Sequence, residues 1–230
     1  MDLRVERRIT MIKKYKGTLI FTSLLMLIPM VVGLLIWDQL PEQVPSHWGI
    51  NGEVDAWASK GFTVFGFPAI LLGIHWLCTL VSTLDPSHKN YHPKLIKLMF
   101  WICPMIGLIL TTFVYSAALG HSLPIETIMP LLVGLLFVII GNLMPKCRRS
   151  YTMGIKLPWT LRSEENWNKT HRFGGKIWVV GGLLLMVTAL WGSFWLLMAV
   201  LAAMVLIPTV YSYLYYRNHE QNRQEEKDEN

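Results

Sequence analysis

Six stretches of this chain are apolar and free of Asp, Glu, Lys and Arg: residues 17–37, 62–84, 98–119, 127–144, 177–191 and 194–216. A bilayer's hydrocarbon core is about 30 Å thick and needs about 20 residues of helix to cross it. Backbone polar groups find no water there, so a spanning segment must satisfy them internally. The composition agrees: 53% of residues are hydrophobic and 16% charged, against about 25% charged in soluble domains. Only Gly192 and Ser193 separate the short fifth stretch from the sixth. A single helix of their combined length would overshoot the bilayer roughly twofold, so the two are expected to form a tight hairpin. The predicted fold class is all-α: a polytopic membrane bundle of six transmembrane helices with a short extracellular hairpin loop.

Basic residues give this bundle an orientation. Twenty of the 21 Lys and Arg residues fall in the N-terminal arm, the second loop (residues 85–97), the fourth loop (residues 145–176) and the tail. Lys60 alone lies in the opposite set of loops. Cytoplasmic loops retain Lys and Arg, so both termini are expected in the cytoplasm. The same rule explains the net charge of +6 without any direct contact to nucleic acid. The first apolar stretch is too long for a signal-peptide core and has no small-residue cleavage site after it, so it reads as an uncleaved first helix. Cys78 and Cys103 lie within spans and Cys147 faces the reducing side, which indicates neither a disulfide framework nor a metal site.

Proline and glycine punctuate the spans. Pro68 and Pro130 are expected in first turns, Pro145 at a helix stop, and Pro29, Pro104 and Pro208 at kinks. Gly174 and Gly175 recur seven residues on as Gly181 and Gly182, a smooth stripe on which another backbone can pack closely.

Two loops carry the remaining information. In the outer loop, residues 38–61, Asn51-Gly52 is a strong hairpin-turn signal. The simplest register sets Ile50 opposite Glu53 and Trp48 opposite Asp55. Trp48, Asp55 and Trp57 then share one face while His47 points away, so a His47–Asp55 pair is not expected unless a bulge intervenes. With Asp38, Glu42, Glu53 and Asp55 against Lys60, the loop carries a charge of −3. His47, Trp48, Asp55 and Trp57 are the candidate residues of an acidic, aromatic platform for a cationic or amphipathic peptide.

In the inner loop, residues 145–176, Ser163 is a plausible N-cap with Glu164 and Glu165 in the following first turn. Trp167, Thr170, His171 and Gly174 then share one helical stripe. Trp159 is expected before this helix, in an extended segment set by Pro158. Trp159 and Trp167 are expected to form an interfacial collar at the lipid headgroups. Thr160, Ser163 and Thr170 lie near His171, but no carboxylate has an evident place to orient it, so no catalytic residue is assigned.

These loops resemble the SdpI family of bacterial membrane proteins over nearly the whole chain. The outer pattern is Leu40-Pro41, Val44-Pro45, His47-Trp48, then Gly52 and Asp55. It is similar to an N-terminal domain of unknown function found in such proteins. The inner pattern is similar to the SdpI signature: Gly141-Asn142, Gly154-Ile155, Pro158-Trp159-Thr160-Leu161 and Trp167 with Thr170-His171-Arg172. Asn142, Gly154, Pro158, Trp159, Thr160, Leu161, Trp167, His171 and Arg172 are therefore the signature-loop candidates. The resemblance implies a non-enzymatic immunity protein, without cofactor or metal, that protects its cell from a secreted antimicrobial toxin peptide. It further implies a receptor that holds a cytoplasmic winged-helix autorepressor at the membrane.

The expected organisation is a basic arm (1–16), an N-terminal membrane domain (17–119), an SdpI-like membrane domain (120–216) and a disordered tail (217–230). The alternative function is a small-molecule or ion transporter. Transporters usually carry ionisable residues within their spans, and here His75 is the candidate for a proton relay, besides tyrosines and cysteines. No HExxH, paired carboxylate or GxSxG pattern supports an intramembrane enzyme.

Overall fold

A computed structural model describes residues 3–50, 52–121, 123–191 and 193–221. The elements run α1 (Leu3–Leu25), α2 (Ile28–Leu35), β1 (Gln43–Trp48), β2 (Val54–Ser59), α3 (Phe67–Leu84), α4 (Pro93–Ala118), α5 (Ile125–Leu143), α6 (Pro158–Arg162), α7 (Glu164–Thr188) and α8 (Phe194–Tyr216). The protein is an all-α helical membrane bundle carrying one small hairpin.

Among the described residues, five segments are long and apolar enough to cross a membrane: Ile12–Leu35, Phe62–Leu84, Pro93–Ala118, Ile125–Lys146 and Phe194–His219. The sixth expected span lies in α7. This helix is long, but its N-terminal part is polar and buries Asn166, Thr170 and His171. Its uncharged apolar part begins only at Ile177.

The chain divides into two compact units, one of residues 1–84 and 93–125, the other of residues 85–92 and 126–230. The short segment after α3 thus folds with the second unit.

In the first unit, Pro29 offers no N–H to the carbonyl of Leu25, and α1 ends at that residue. The chain restarts as α2 with Pro29 in its first turn, so Pro29 divides two helices rather than kinking one. Pro104 and Pro208 are accommodated inside α4 and α8. Pro130 also lies inside its helix, because α5 begins at Ile125, earlier than expected. The basic arm is helical from Leu3 and continuous with the first span. At the other end, Arg217–Gln221 form a π-helical turn, and the rest of the expected disordered tail lies outside the described residues.

The first unit's small core is Leu40, Val64 and Tyr115, with Trp37 and Val114 packed against it. The Tyr115 hydroxyl donates to the Pro29 carbonyl at 2.9 Å and ties α4 to α2. Thr22 and His75 tie α1 to α3, with Oγ1 and Nε2 3.2 Å apart.

In the second unit α7 is wedged between two helices by the doubled glycines. A Cβ on Gly134 of α5 would lie 2.5 Å from the Gly182 carbonyl oxygen, and one on Gly141 2.8 Å from that of Gly175. The other stripe faces α8: a Cβ on Gly174 would lie 3.3 Å from Pro208, and one on Gly181 would run into Met204. Two glycine stripes, one residue apart and each repeating at seven, thus give α7 two close-packing faces about 100° apart.

Candidate functional site

The outer hairpin pairs β1 and β2 antiparallel with Trp48 opposite Val54, His47 opposite Ala56 and Pro45 opposite Trp57. The register is irregular between Pro45 and His47 and again between His47 and Trp48. These irregularities correct the expected face assignment. They turn His47 toward Asp55, and Nδ1 and Oδ1 lie 2.6 Å apart on the exposed side. Trp57 is also exposed, at 57%. Trp48 leaves that set and faces the other way. With Pro45 and Val54 it lines a cavity of about 260 Å³ closed by Phe113 and Ala117 of α4. Asn51 lies outside the described residues, while Gly52 takes the left-handed conformation, φ 76°, that the turn requires.

Lys60, the outer loop's lone cation, is 9% exposed. Its Nζ contacts Glu42 at 2.8 Å and lies 4.8 Å from the Trp37 ring centroid. The exposed charge of the loop is accordingly acidic: Asp38, Glu53 and Asp55 all reach solvent.

The inner site is organised by Asp85, 3% exposed. Oδ2 accepts from the Tyr91 hydroxyl at 2.6 Å, Ser150 Oγ at 2.9 Å, the Tyr151 amide at 2.9 Å and the Thr152 amide at 3.0 Å. Oδ1 accepts from the Ser87 amide at 2.7 Å. Burial alone would raise this carboxyl's pKa. Hydrogen bonds from Tyr91, the Ser87 amide, Ser150 and Thr152 outweigh burial and hold it at about 2. Burial, reinforced by the bond to Asp85, pushes the Tyr91 phenol well above its ordinary range. One ionised group thus fastens the segment after α3 to the start of the signature loop.

A second anchor follows in sequence. Trp167 is fully buried and its indole N–H donates to the Cys147 carbonyl at 2.7 Å. His171 stacks on it, ring centroids 4.0 Å apart. Nδ1–H of His171 donates to the Trp167 carbonyl at 2.7 Å, and Nε2 accepts from the Ile155 amide at 2.9 Å. Burial holds this imidazole down at about 4, against the raising effect of the Trp167 carbonyl. Gly154 has φ 110°, and a Cβ there would run into His171 Nε2, which requires glycine at this position. Burial also raises the Cys147 thiol to about 11, far from a reactive thiolate.

The third anchor joins α6, α7 and α8. The Trp159 indole N–H donates to Ser212 Oγ at 2.8 Å. Ser212 Oγ donates to Asn166 Oδ1 at 3.0 Å, and Asn166 returns a bond to the Ser212 carbonyl at 3.2 Å. Thr170 Oγ1 donates to the same Asn166 oxygen at 2.9 Å. The Tyr215 hydroxyl donates to Glu165 at 2.6 Å.

The hydroxyls near His171 are spent on structure. Thr160 Oγ1 accepts from the Leu157 amide and donates to the Ile155 carbonyl, both at 2.9 Å. Ser163 caps α7 as expected, accepting from the Asn166 amide at 3.2 Å.

Of the signature residues, the structure therefore brings Gly154, Trp159, Trp167 and His171 into the three anchors, while Thr160 ties the Leu157 amide to the Ile155 carbonyl. Pro158 is exposed and opens α6, so Trp159 sits in a short helix rather than an extended segment. The collar expectation also fails for Trp167, which is a core residue. Leu161 is half-buried, and its carbonyl accepts from Arg149 at 3.4 Å. Asn142, in the last turn of α5, and Arg172 are exposed. Asp85, Tyr91, Ser150, Asn166 and Ser212 were missed in the sequence. A carboxylate directly abutting an uncharged span was the available signal for Asp85. The others are common polar residues whose roles depend on distant partners.

Residues 146–212 match the SdpI/YfhL protein family, and residues 24–72 match a domain of unknown function (DUF1648). The chain is 27% identical over 201 residues to the immunity protein SdpI of Bacillus subtilis (strain 168), covering 86% of this chain and 95% of that one. No solved structure matches. Each of the three anchors includes residues of the matched 146–212 segment, which is similar to the SdpI/YfhL family, while residues 24–72 are similar to the DUF1648 domain.

Proposed function

We propose that this protein is a non-enzymatic membrane immunity protein that protects its cell from a secreted antimicrobial peptide. The observation that carries this reading is the similarity to an immunity protein across 95% of that protein's length. The outer hairpin supplies the peptide site. Asp38, Glu53 and Asp55 attract a cationic chain, Trp57 offers an exposed aromatic face, and the cavity under Trp48 accepts an apolar side chain.

The inner loop supplies the second half. Its backbone is held at Asp85, His171 and Trp159, which presents a rigid platform on which a cytoplasmic winged-helix autorepressor docks. Both termini and the inner loop face the cytoplasm, in keeping with the distribution of Lys and Arg. The hydrogen bonds from the 85–92 segment to residues 150–152 require those two loops to share one side, which agrees with this orientation. Signalling demands that peptide bind the docking and non-docking states unequally.

Transport is the weaker reading. His75 is 1% exposed, bonded to Thr22 and packed edge-on to Phe100, which suits a structural histidine.

The test is expression in a peptide-sensitive strain challenged with candidate antimicrobial peptides. Survival above the vector control is expected. The Trp48→Ala, Asp55→Ala double variant should lose protection at unchanged membrane level. Unchanged survival removes the hairpin from the mechanism. Repressor recruitment to the membrane should fail in Trp159→Ala and His171→Ala, and normal recruitment in both places the docking surface elsewhere.

A further inference from the structure

An apolar groove runs along the exposed side of α8 in the second unit. Leu206, Ile207, Val210, Tyr211 and Leu214 form its floor, and Phe173 of α7 forms one wall. Phe173 and Tyr211 stack with ring centroids 4.3 Å apart, which fixes that wall. The groove holds about 380 Å³ and extends for about 12 Å along the helix, from the rise of eight residues.

Its surroundings are not apolar. Lys169, Phe173 and Lys176 follow one another at i, i+4 and i+7 on α7, so a cation stands on either side of the wall residue. Directly after α8, at the start of the π-helical turn, Arg217 lies three residues beyond Leu214 and seven beyond Val210. Lys176 and Arg217 are exposed. Lys169 is held near this site, 4.9 Å from the Tyr215 ring centroid and 3.5 Å from Glu165. Lysine stems extend along apolar surface while the ammonium seeks the headgroup layer. The arrangement therefore combines an acyl-sized apolar channel with cations contributed by α7 and the turn after α8 at its margin.

We propose that this groove is a binding site for one anionic phospholipid. The acyl chain lies against Phe173, Val210 and Leu214, and the phosphate is held by Lys176 and Arg217, while the charge of Lys169 is offset by Glu165. Charge complementarity selects the anionic headgroup, because basic pockets between membrane helices bind such headgroups. A zwitterionic lipid places a choline or ethanolamine cation beside the same residues and loses that selection. The site is separate from the outer hairpin and does not rest on the immunity reading.

The full-length protein in detergent would be titrated with phosphatidylglycerol and, separately, phosphatidylcholine, and bound lipids counted by native mass spectrometry. The expected result is one phosphatidylglycerol retained at least five-fold more strongly than phosphatidylcholine. The K176Q/R217Q variant should lose that preference. K146Q/R148Q, a charge-matched variant outside the groove, should keep it. Val210→Trp, which fills the channel, should weaken retention of both lipids. Equal retention of the two lipids by the unaltered protein, or a preference that survives K176Q/R217Q, leaves only non-selective annular lipid and overturns the site. Equal loss in K146Q/R148Q assigns the effect to general charge and overturns it as well. The thermal midpoint of each variant without added lipid checks folding, and both charge pairs are exposed, so midpoints near that of the unaltered protein are expected.

Discussion

The amide of Ile155 donates to Nε2 of His171 at 2.9 Å, sixteen residues away in sequence. Because Nδ1 is committed to the Trp167 carbonyl, both ring nitrogens are occupied and the imidazole is fixed in its neutral Nδ1–H tautomer. Protonation at Nε2 would place a second N–H against the Ile155 N–H. His171 is therefore a backbone clamp, and its neutrality is a condition of the loop's conformation.

This clamp predicts a pH dependence. The folded pKa, about 4, is below the ordinary value of 6.5, so the unfolded loop binds more protons between these values. Stability contributed by this group is complete above pH 6.5 and declines as pH falls toward 4. The full loss is on the order of 3 kcal/mol. The thermal midpoint in detergent should fall between pH 7 and pH 5. His171→Ala should be less stable at pH 7, by about 1–3 kcal/mol for the unsatisfied Ile155 amide, and should show a shallower slope. Equal slopes in the two proteins would remove His171 as the titrating group.

Asp85 has the same sign in a lower pH window. Its folded pKa is lowered from 3.8 to about 2, so its contribution is present above pH 3.8 and is lost only as pH falls through 2. Near neutral pH the sensitive change is Asp85→Asn. The side-chain amide replaces one of the two accepting oxygens by an N–H donor, which then faces either the Ser87 amide or the Tyr151 and Thr152 amides, at a cost of about 2–4 kcal/mol. The freed loop should expose Cys147, 6% exposed in the folded protein. Maleimide modification, located by peptide mass spectrometry, should rise at least ten-fold at Cys147, with Cys78 and Cys103 as internal references. An unchanged rate would mean that the loop is held without Asp85.

The glycine wedge gives a steric prediction. Gly134→Ala sets a methyl group 2.5 Å from the Gly182 carbonyl oxygen, forcing α5 and α7 apart at a cost of about 1–3 kcal/mol. Gly73→Ala is the matched control, since its Cβ meets nothing within 4 Å. Thermal midpoints should drop for the first and hold or rise for the second. A tolerated Gly134→Ala would show that α5 and α7 pack less closely.

Orientation is tested by labelling. In a cysteine-free background, Ile50→Cys should react with a membrane-impermeant reagent on intact cells, while Ile155→Cys should react only after lysis. The reverse pattern would invert the proposed topology and remove the outer hairpin from contact with a secreted peptide.

What could be read from residue order alone was whatever depends on short-range periodicity. Uncharged runs of bilayer length dictate membrane helices because no other arrangement satisfies their backbone. Ser163 followed by Glu164 and Glu165 marks a helix start by local hydrogen bonding and dipole. Glycine pairs repeating at seven mark a close-packing stripe. The tertiary structure decided the rest. Whether His47 meets Asp55 turns on register irregularities in the hairpin, each of which rotates the following side chains to the opposite face. Asp85 reaches Tyr151 and Thr152 across 66 and 67 residues, and Trp159 reaches Ser212 across 53. A hydrogen bond acts over about 3 Å, so such partners become neighbours only when helix packing has set where each loop ends.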